Sequence, residues 1–239
     1  RMSKLRFCLD KESEKYILLF FSNPNNQFIA GANIFKLYIK GYPQLEILPS
    51  LSMRKRKIMI GQFIDNEHVK RRKRLKQDMI TLRKKWNKKE KLFLKISSQL
   101  FDNHPWSKGH YTAVISILNS FPRFIKEKKF HTPPKKVKGG FDPCYVIAHE
   151  CLHFMFFDYF DKNFKGQLPK MLEWELSEII NQIIQKREPL NKLYIHNSWG
   201  IFPKLQKKLA FLDDLYTKCA TMHEFMEGAI LFLKKETSR

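Results

Sequence analysis

Several features are missing from this 239-residue chain, and each absence narrows what it can be. Cysteine occurs four times, at Cys8, Cys144, Cys151 and Cys219, with no C-x-x-C pair. That excludes a disulfide framework or a cysteine-type zinc knuckle as the organising principle, and it suits a reducing, cytoplasmic setting. No apolar run approaches the roughly 20 residues that a membrane-spanning helix needs. The opening RMSKLRFCLDKESEKY lacks the apolar core and small-residue cleavage site of a signal peptide. Acidic residues are few, 23 against 45 lysines and arginines, which leaves a formal net charge of +22. Zinc-finger spacing, an RNP-type aromatic strand and a GxxG loop are all absent, so the positive charge comes without a base-reading signature.

What is present suffices for a folded domain. A hydrophobic fraction of 43% with 21 phenylalanines supplies a core and argues against general disorder. The length fits one medium domain, or a catalytic domain with a helical extension. Much of the positive charge sits in Met53 to Lys57 (MRKRK) and in Lys70 to Lys95. Such a block can contact polyanions non-specifically through residues 53–95. The plainer reading is a long solvated helix whose buried stripe is Leu75, Met79, Leu82 and Trp86.

Periodicity and punctuation divide the chain into elements. Asp10 to Phe21 reads as a helix, ended by turn residues at Asn23 to Asn26. Phe28 to Pro49 breaks into short pieces at Gly31, Gly41, Pro43 and Pro49. A long helical run from about Asp65 to Phe101, with a break or kink, is followed by a loop at His104 to Gly109. Tyr111 to Leu118 (YTAVISIL), rich in β-branched residues, reads as a strand. Pro122 to Thr132 reads as a second strand whose lysines suit a sheet edge. Pro169 to Gln185 is a helix with apolar positions at Leu172, Leu176, Ile179 and Ile183. Two C-terminal helices follow, the last opening on a capping-box pattern at Thr221 to Glu224.

The chemistry concentrates at His149-Glu150-Cys151-Leu152-His153, an H-E-x-x-H pentad. On a helix, imidazoles four residues apart fall about 40° apart around the axis, so both can ligate one metal ion. Glu150 lies on the same side, where a carboxylate can act as general base toward a water activated by that ion. Five letters recur by chance, so the context decides. Asp142 followed by Pro143 reads as an N-cap with proline at the first helical position. The run Tyr145 to Phe157 then continues without a breaker. The alternative, two core histidines with Glu150 paired to a lysine, suits a lone histidine better than this constellation.

A catalytic zinc takes three protein ligands and leaves one position open. The residues after His153 are FMFFDY, which excludes the continuation x-x-G-x-x-H. The remaining solution draws a glutamate from the next helix, where Glu173, Glu175 and Glu178 stand 20, 22 and 25 residues after His153.

A strand, the pentad helix, a turn, then Leu168, Pro169 and Trp174 to Glu178 (WELSE) together resemble the catalytic core of the small gluzincins. The likeness is to peptidase-MA-like proteins in particular and covers about residues 111–185. It implies a Zn²⁺ ion held by His149, His153 and Glu178, with Glu173 the alternative third ligand, and Glu150 as general base. A more distant likeness, to cytoplasmic zincins that regulate repressors, matches Glu178 and Asn181. The resemblance implies hydrolysis of a peptide or protein substrate. An oxyanion donor is then expected besides the metal, and Tyr194 and His196, after the ligand helix, are the candidates. The expected fold is α+β: a zincin-like core with a small, mainly antiparallel sheet, a pentad helix and a third-ligand helix. Residues 1–103 would form a mainly helical basic extension and residues 104–239 the core with its C-terminal helices.

Overall fold

The computed structural model describes residues 4–29, 32–118, 120–135, 142–195 and 202–237. In chain order these form β1 (Leu5–Cys8), α1 (Lys11–Phe21), β2 (Phe28–Ile29), β3 (Ala32–Asn33), α2 (Ile34–Gly41) and α3 (Met53–Leu100). Then come β4 (Tyr111–Ile115), β5 (Arg123–Phe124), β6 (Lys129–Thr132), α4 (Pro143–Asn163), α5 (Lys170–Gln185), α6 (Gln206–Lys218) and α7 (Met222–Thr237). The fold is α+β and mostly helical, with one small mixed sheet. No helix among the described residues is long and apolar enough to cross a membrane.

Two compact units divide the chain, and both cross a cut at residue 103: Arg1–Trp86 with His110–Val146, and Asn87–Gly109 with Ile147–Arg239. The first unit holds the four-stranded sheet, in the order β1-β4-β6-β5. The sheet is not mainly antiparallel as expected: β4 pairs in parallel with both β1 and β6, and only β5 and β6 are antiparallel. Parallel neighbours need a crossover of about a dozen residues or more. The long connections from β1 to β4 and from β4 to β6 provide it, which strand propensity alone does not reveal. The segment 122–132 is also not one edge strand. It folds back as a hairpin through Ile125 and Lys128, the latter at φ 49, so β6 is paired on both sides and the two-residue β5 forms the edge.

Charged and polar groups hold α1 against this sheet. Asp10 caps α1 by accepting from the Ser13 amide at 3.0 Å, while Ile17, Leu18 and Phe21 supply its buried face. Glu14, wholly buried, accepts from Ser116 Oγ at 2.8 Å and the Ile117 amide at 2.6 Å, and its second oxygen pairs with His68 on α3. A buried carboxylate is tolerable only when satisfied in this way. One residue earlier, Ser13 Oγ lies 2.8 Å from His131 Nε2 on β6.

Helix α3 begins at Met53, twelve residues before the expected start, and Gly61 does not interrupt it. Its first turns bury Ile60, Phe63 and Ile64. Arg56, read in the sequence as part of a solvated basic block, is buried. Its guanidinium donates to the carbonyls of Leu48, Pro49 and Leu51 at 2.9, 3.0 and 3.1 Å. Further along, Leu75, Leu82 and Trp86 are buried and Met79 is half-buried, as the helical stripe requires.

The second unit is helical. Ile179, Ile180 and Ile183 of α5, Phe156 and Phe160 of α4, and Phe225, Met226 and Ala229 of α7 are buried in its core. Asp102 ties its ends together. This residue, at φ 54 in the left-handed region, accepts from the Met222 and His223 amides at 2.9 and 2.8 Å and from the Tyr159 hydroxyl at 2.6 Å. A side chain 120 positions away thereby supplies the N-terminal cap of α7.

Candidate metal centre

The pentad helix forms where its cap predicts. Asp142 Oδ1 accepts from the Cys144 amide at 3.1 Å, Pro143 opens the helix, and α4 then runs 21 residues to Asn163. After the turn at Gly166, which takes φ 77 where a β-carbon would be strained, Pro169 starts α5. Both helices present one buried polar patch within the second unit.

His149, His153 and Glu178 meet there, all buried, each offering a ligand atom within 4.8 Å of the others. The two Nε2 atoms are 3.1 Å apart. Glu178 Oε2 lies 3.4 Å from His149 Nε2, and its Oε1 lies 3.5 Å from His153 Nε2. The opposite nitrogens are held from outside. Gln185 Oε1 accepts from His149 Nδ1 at 2.7 Å, and Ser177 Oγ accepts from His153 Nδ1 at 3.2 Å. Ser177 can accept because its own proton goes to the Trp174 carbonyl at 2.7 Å. Asn181 Nδ2 donates to the His149 carbonyl at 3.0 Å and fixes α4 against α5.

These outer bonds decide the tautomers. With each Nδ1 donating, each neutral ring turns an Nε2 lone pair inward, toward the other lone pair and a carboxylate. Such an assembly of acceptors repels itself unless a proton or a cation lies among them. Burial alone would depress the pKa of His149. The Glu178 hydrogen bond outweighs it, together with the charges of Glu150 and Glu178 and the bond to Gln185, so that the net shift is upward. The site thus favours positive charge at its centre.

The donor set also fits a metal by size. Tetrahedral ligation at about 2.0–2.1 Å separates neighbouring donors by about 3.3 Å. The observed 3.1, 3.4 and 3.5 Å bracket that value. Two imidazoles, one carboxylate and outer-sphere acceptors on both rings make a composition that suits a divalent metal ion.

The other expected residues fall as follows. Glu173 is buried, but both of its oxygens accept from Lys170 Nζ, at 3.1 and 2.8 Å. Glu175 pairs with Lys208 at 2.5 Å. At about 100° per residue Glu173 points some 140° away from Glu178, so one helix cannot aim both at the same ion. Glu150 is buried, and its charge helps to raise the pKa of His149. Tyr194 is buried, and its hydroxyl donates to the Gln185 carbonyl at 3.4 Å. His196 lies outside the described residues. Cys151, inside the pentad, has its thiol pushed well up by burial and by the charges of Glu90 and Glu150, and so is a poor nucleophile at neutral pH.

Ser177 and Gln185 were not foreseen. Their signal was present: Ser177, Asn181 and Gln185 stand at i, i+4 and i+8, one polar row among the isoleucines and leucines of α5, and all three are fully buried. Comparison with protein-family models, with curated proteins and with solved structures gives no match.

Proposed function

We propose that the protein is a zinc-dependent metallopeptidase of the gluzincin type, hydrolysing peptide bonds in a peptide or protein substrate. The observation that carries this reading is the convergence of two inward imidazole lone pairs and the Glu178 carboxylate at 3.1 to 3.5 Å. The likeness of residues 111–185 to peptidase-MA-like proteins belongs to the same reading. Zn²⁺ held by His149, His153 and Glu178 would supply Lewis acidity at the scissile carbonyl and lower the pKa of a water in its reach.

The rest of the work falls to the chain's own groups. Gln185 and Ser177 keep both rings in the ligating tautomer. Glu150, adjacent to the first of the two histidines, takes the proton of the attacking water and passes it to the leaving amine. Tyr194 is the described candidate for the oxyanion donor, and its hydroxyl must exchange the Gln185 carbonyl for the developing negative charge. Cys144 and Cys151 are buried free thiols, which agrees with a reducing, cytoplasmic environment.

The test is metal analysis of untagged protein together with Glu150→Gln. One zinc per chain is expected in both proteins, with hydrolysis of an unfolded protein substrate only in the parent. Absence of stoichiometric zinc overturns the reading. Zinc without hydrolysis in the parent makes the centre structural, and undiminished hydrolysis in Glu150→Gln removes Glu150 as the base.

A further inference from the structure

We propose that the exposed face of α3 between Val69 and Lys84 docks in the major groove of B-form duplex DNA. This activity is separate from the metal centre and independent of the reading above. It rests on how charge is distributed around the helix within the first unit. At about 100° per residue, Arg72, Lys76 and Arg83 fall within about 40° of arc, and Lys73 and Lys84 within about 20°. Between the two rows lies a line of uncharged side chains, Val69 and Ile80, which are 75% and 45% exposed. All five cations are exposed. None joins an ion pair among the described residues, whereas the neighbouring Arg71 and Arg74 are engaged by Glu67 and Asp78 at 2.6 and 3.8 Å.

The pattern also recurs along the axis. Val69 and Ile80, Arg72 and Arg83, and Lys73 and Lys84 are each eleven residues apart. Eleven residues make about three turns, or about 16.5 Å, so the same face is presented twice. The buried partners Leu75 and Trp86 obey the same interval and anchor the opposite side.

Two rows of cations flanking an apolar line complement a groove with phosphate on both walls and base edges and thymine methyls on its floor. The B-form major groove, about 12 Å wide, admits one α-helix. A-form RNA does not fit, because its major groove is too narrow and deep for side chains to enter. Single strands are held on exposed aromatic rings, and this face offers none. An anionic bilayer requires a broad apolar face to insert, whereas between Val69 and Lys84 this face offers Val69 and Ile80 alone, flanked on both sides by cations.

Fluorescence anisotropy of the full chain with a mixed-sequence DNA duplex of about 20 base pairs tests this. Five phosphate contacts give a salt slope of about −4.5 in log–log form, an affinity loss on the order of 500-fold between about 50 and 200 mM salt. Arg72→Gln/Lys73→Gln/Arg83→Gln/Lys84→Gln should reduce the slope to about −1 and weaken binding at least about 100-fold at low salt. Lys36→Gln/Lys40→Gln/Lys165→Gln/Lys204→Gln, the same charge change at other exposed positions, should leave both nearly unchanged. Should the α3 variant unfold by circular dichroism, Lys73→Gln/Lys84→Gln alone reads the same question with a slope change of about 2. Equal loss in the control variant would reduce the effect to diffuse charge and overturn the proposal. So would equal or tighter binding of single strands or of an RNA duplex, or binding to phosphatidylserine vesicles without binding to the duplex.

Discussion

His149 Nδ1 donates to Gln185 Oε1 at 2.7 Å, so a residue one helix away decides which nitrogen of the ligand histidine faces the centre. The amide oxygen does for His149 what the Ser177 hydroxyl does for His153. Outer partners of this kind set both ring orientation and basicity.

Replacing Gln185 by Leu keeps the volume and removes the acceptor. Zinc affinity, read by competition with a chromogenic chelator, should fall about 10- to 100-fold. Gln185→Glu preserves an acceptor at the same position and should keep most of the affinity. If Leu and Glu behave alike, the bond does not orient the ring.

Glu178→Ala removes the carboxylate that joins both imidazoles in the one such cluster among the described residues, and should abolish stoichiometric zinc in the purified protein. Glu173→Ala breaks only the contact with Lys170 and should leave the zinc content at one per chain. The reverse outcome would assign the third ligand to Glu173.

His131 offers a pH test away from the metal centre. Burial, aided by Lys129 and opposed by Asp10, brings its pKa down to about 3 from the usual 6.5. The unfolded chain therefore binds a proton between those values that the folded chain refuses. Its contribution is complete above about pH 6.5 and is lost as pH falls toward 3, by up to about 1.4 kcal/mol per pH unit. His131→Gln retains a polar partner for Ser13 but cannot titrate. Urea midpoints measured between about pH 7 and 5 should fall less steeply for this variant than for the parent; parallel curves would rule out the buried neutral histidine.

Asp102 combines a left-handed backbone with an acceptor for two amides of α7. Asp102→Ala loses the cap and strains the backbone, together about 2–3 kcal/mol of stability. Asp102→Asn tolerates that backbone and still accepts hydrogen bonds, so its loss should stay within about 1 kcal/mol. Denaturant unfolding monitored by helix signal separates the two. An Asn variant as unstable as Ala would mean that the carboxylate charge, rather than the cap geometry, is what matters.

Local signals were legible where they are carried by neighbours in the chain. The Asp142–Pro143 cap, the pentad spacing, the turn before α5 and the stripe of Leu75, Leu82 and Trp86 follow from one helical period and from capping chemistry. The early start of α3 was hidden because Arg56 is charged, and its burial depends on three carbonyls from the preceding turns. The sheet was misread for a related reason: β1 is four residues long and finds its partner β4 106 positions away, Leu5 opposite Tyr111.

The amino-acid sequence by itself determined the two histidines, the intervening glutamate and the helix that carries them, since all three lie within five residues and one set of backbone hydrogen bonds orders them. Which of three glutamates completes the centre was decided only by tertiary structure. The rotation of α5 about its axis turns Glu178 toward the imidazoles and leaves Glu173 to Lys170. The same rotation brings Ser177 and Gln185 behind the rings, and tautomer choice follows from that contact between helices rather than from either helix alone.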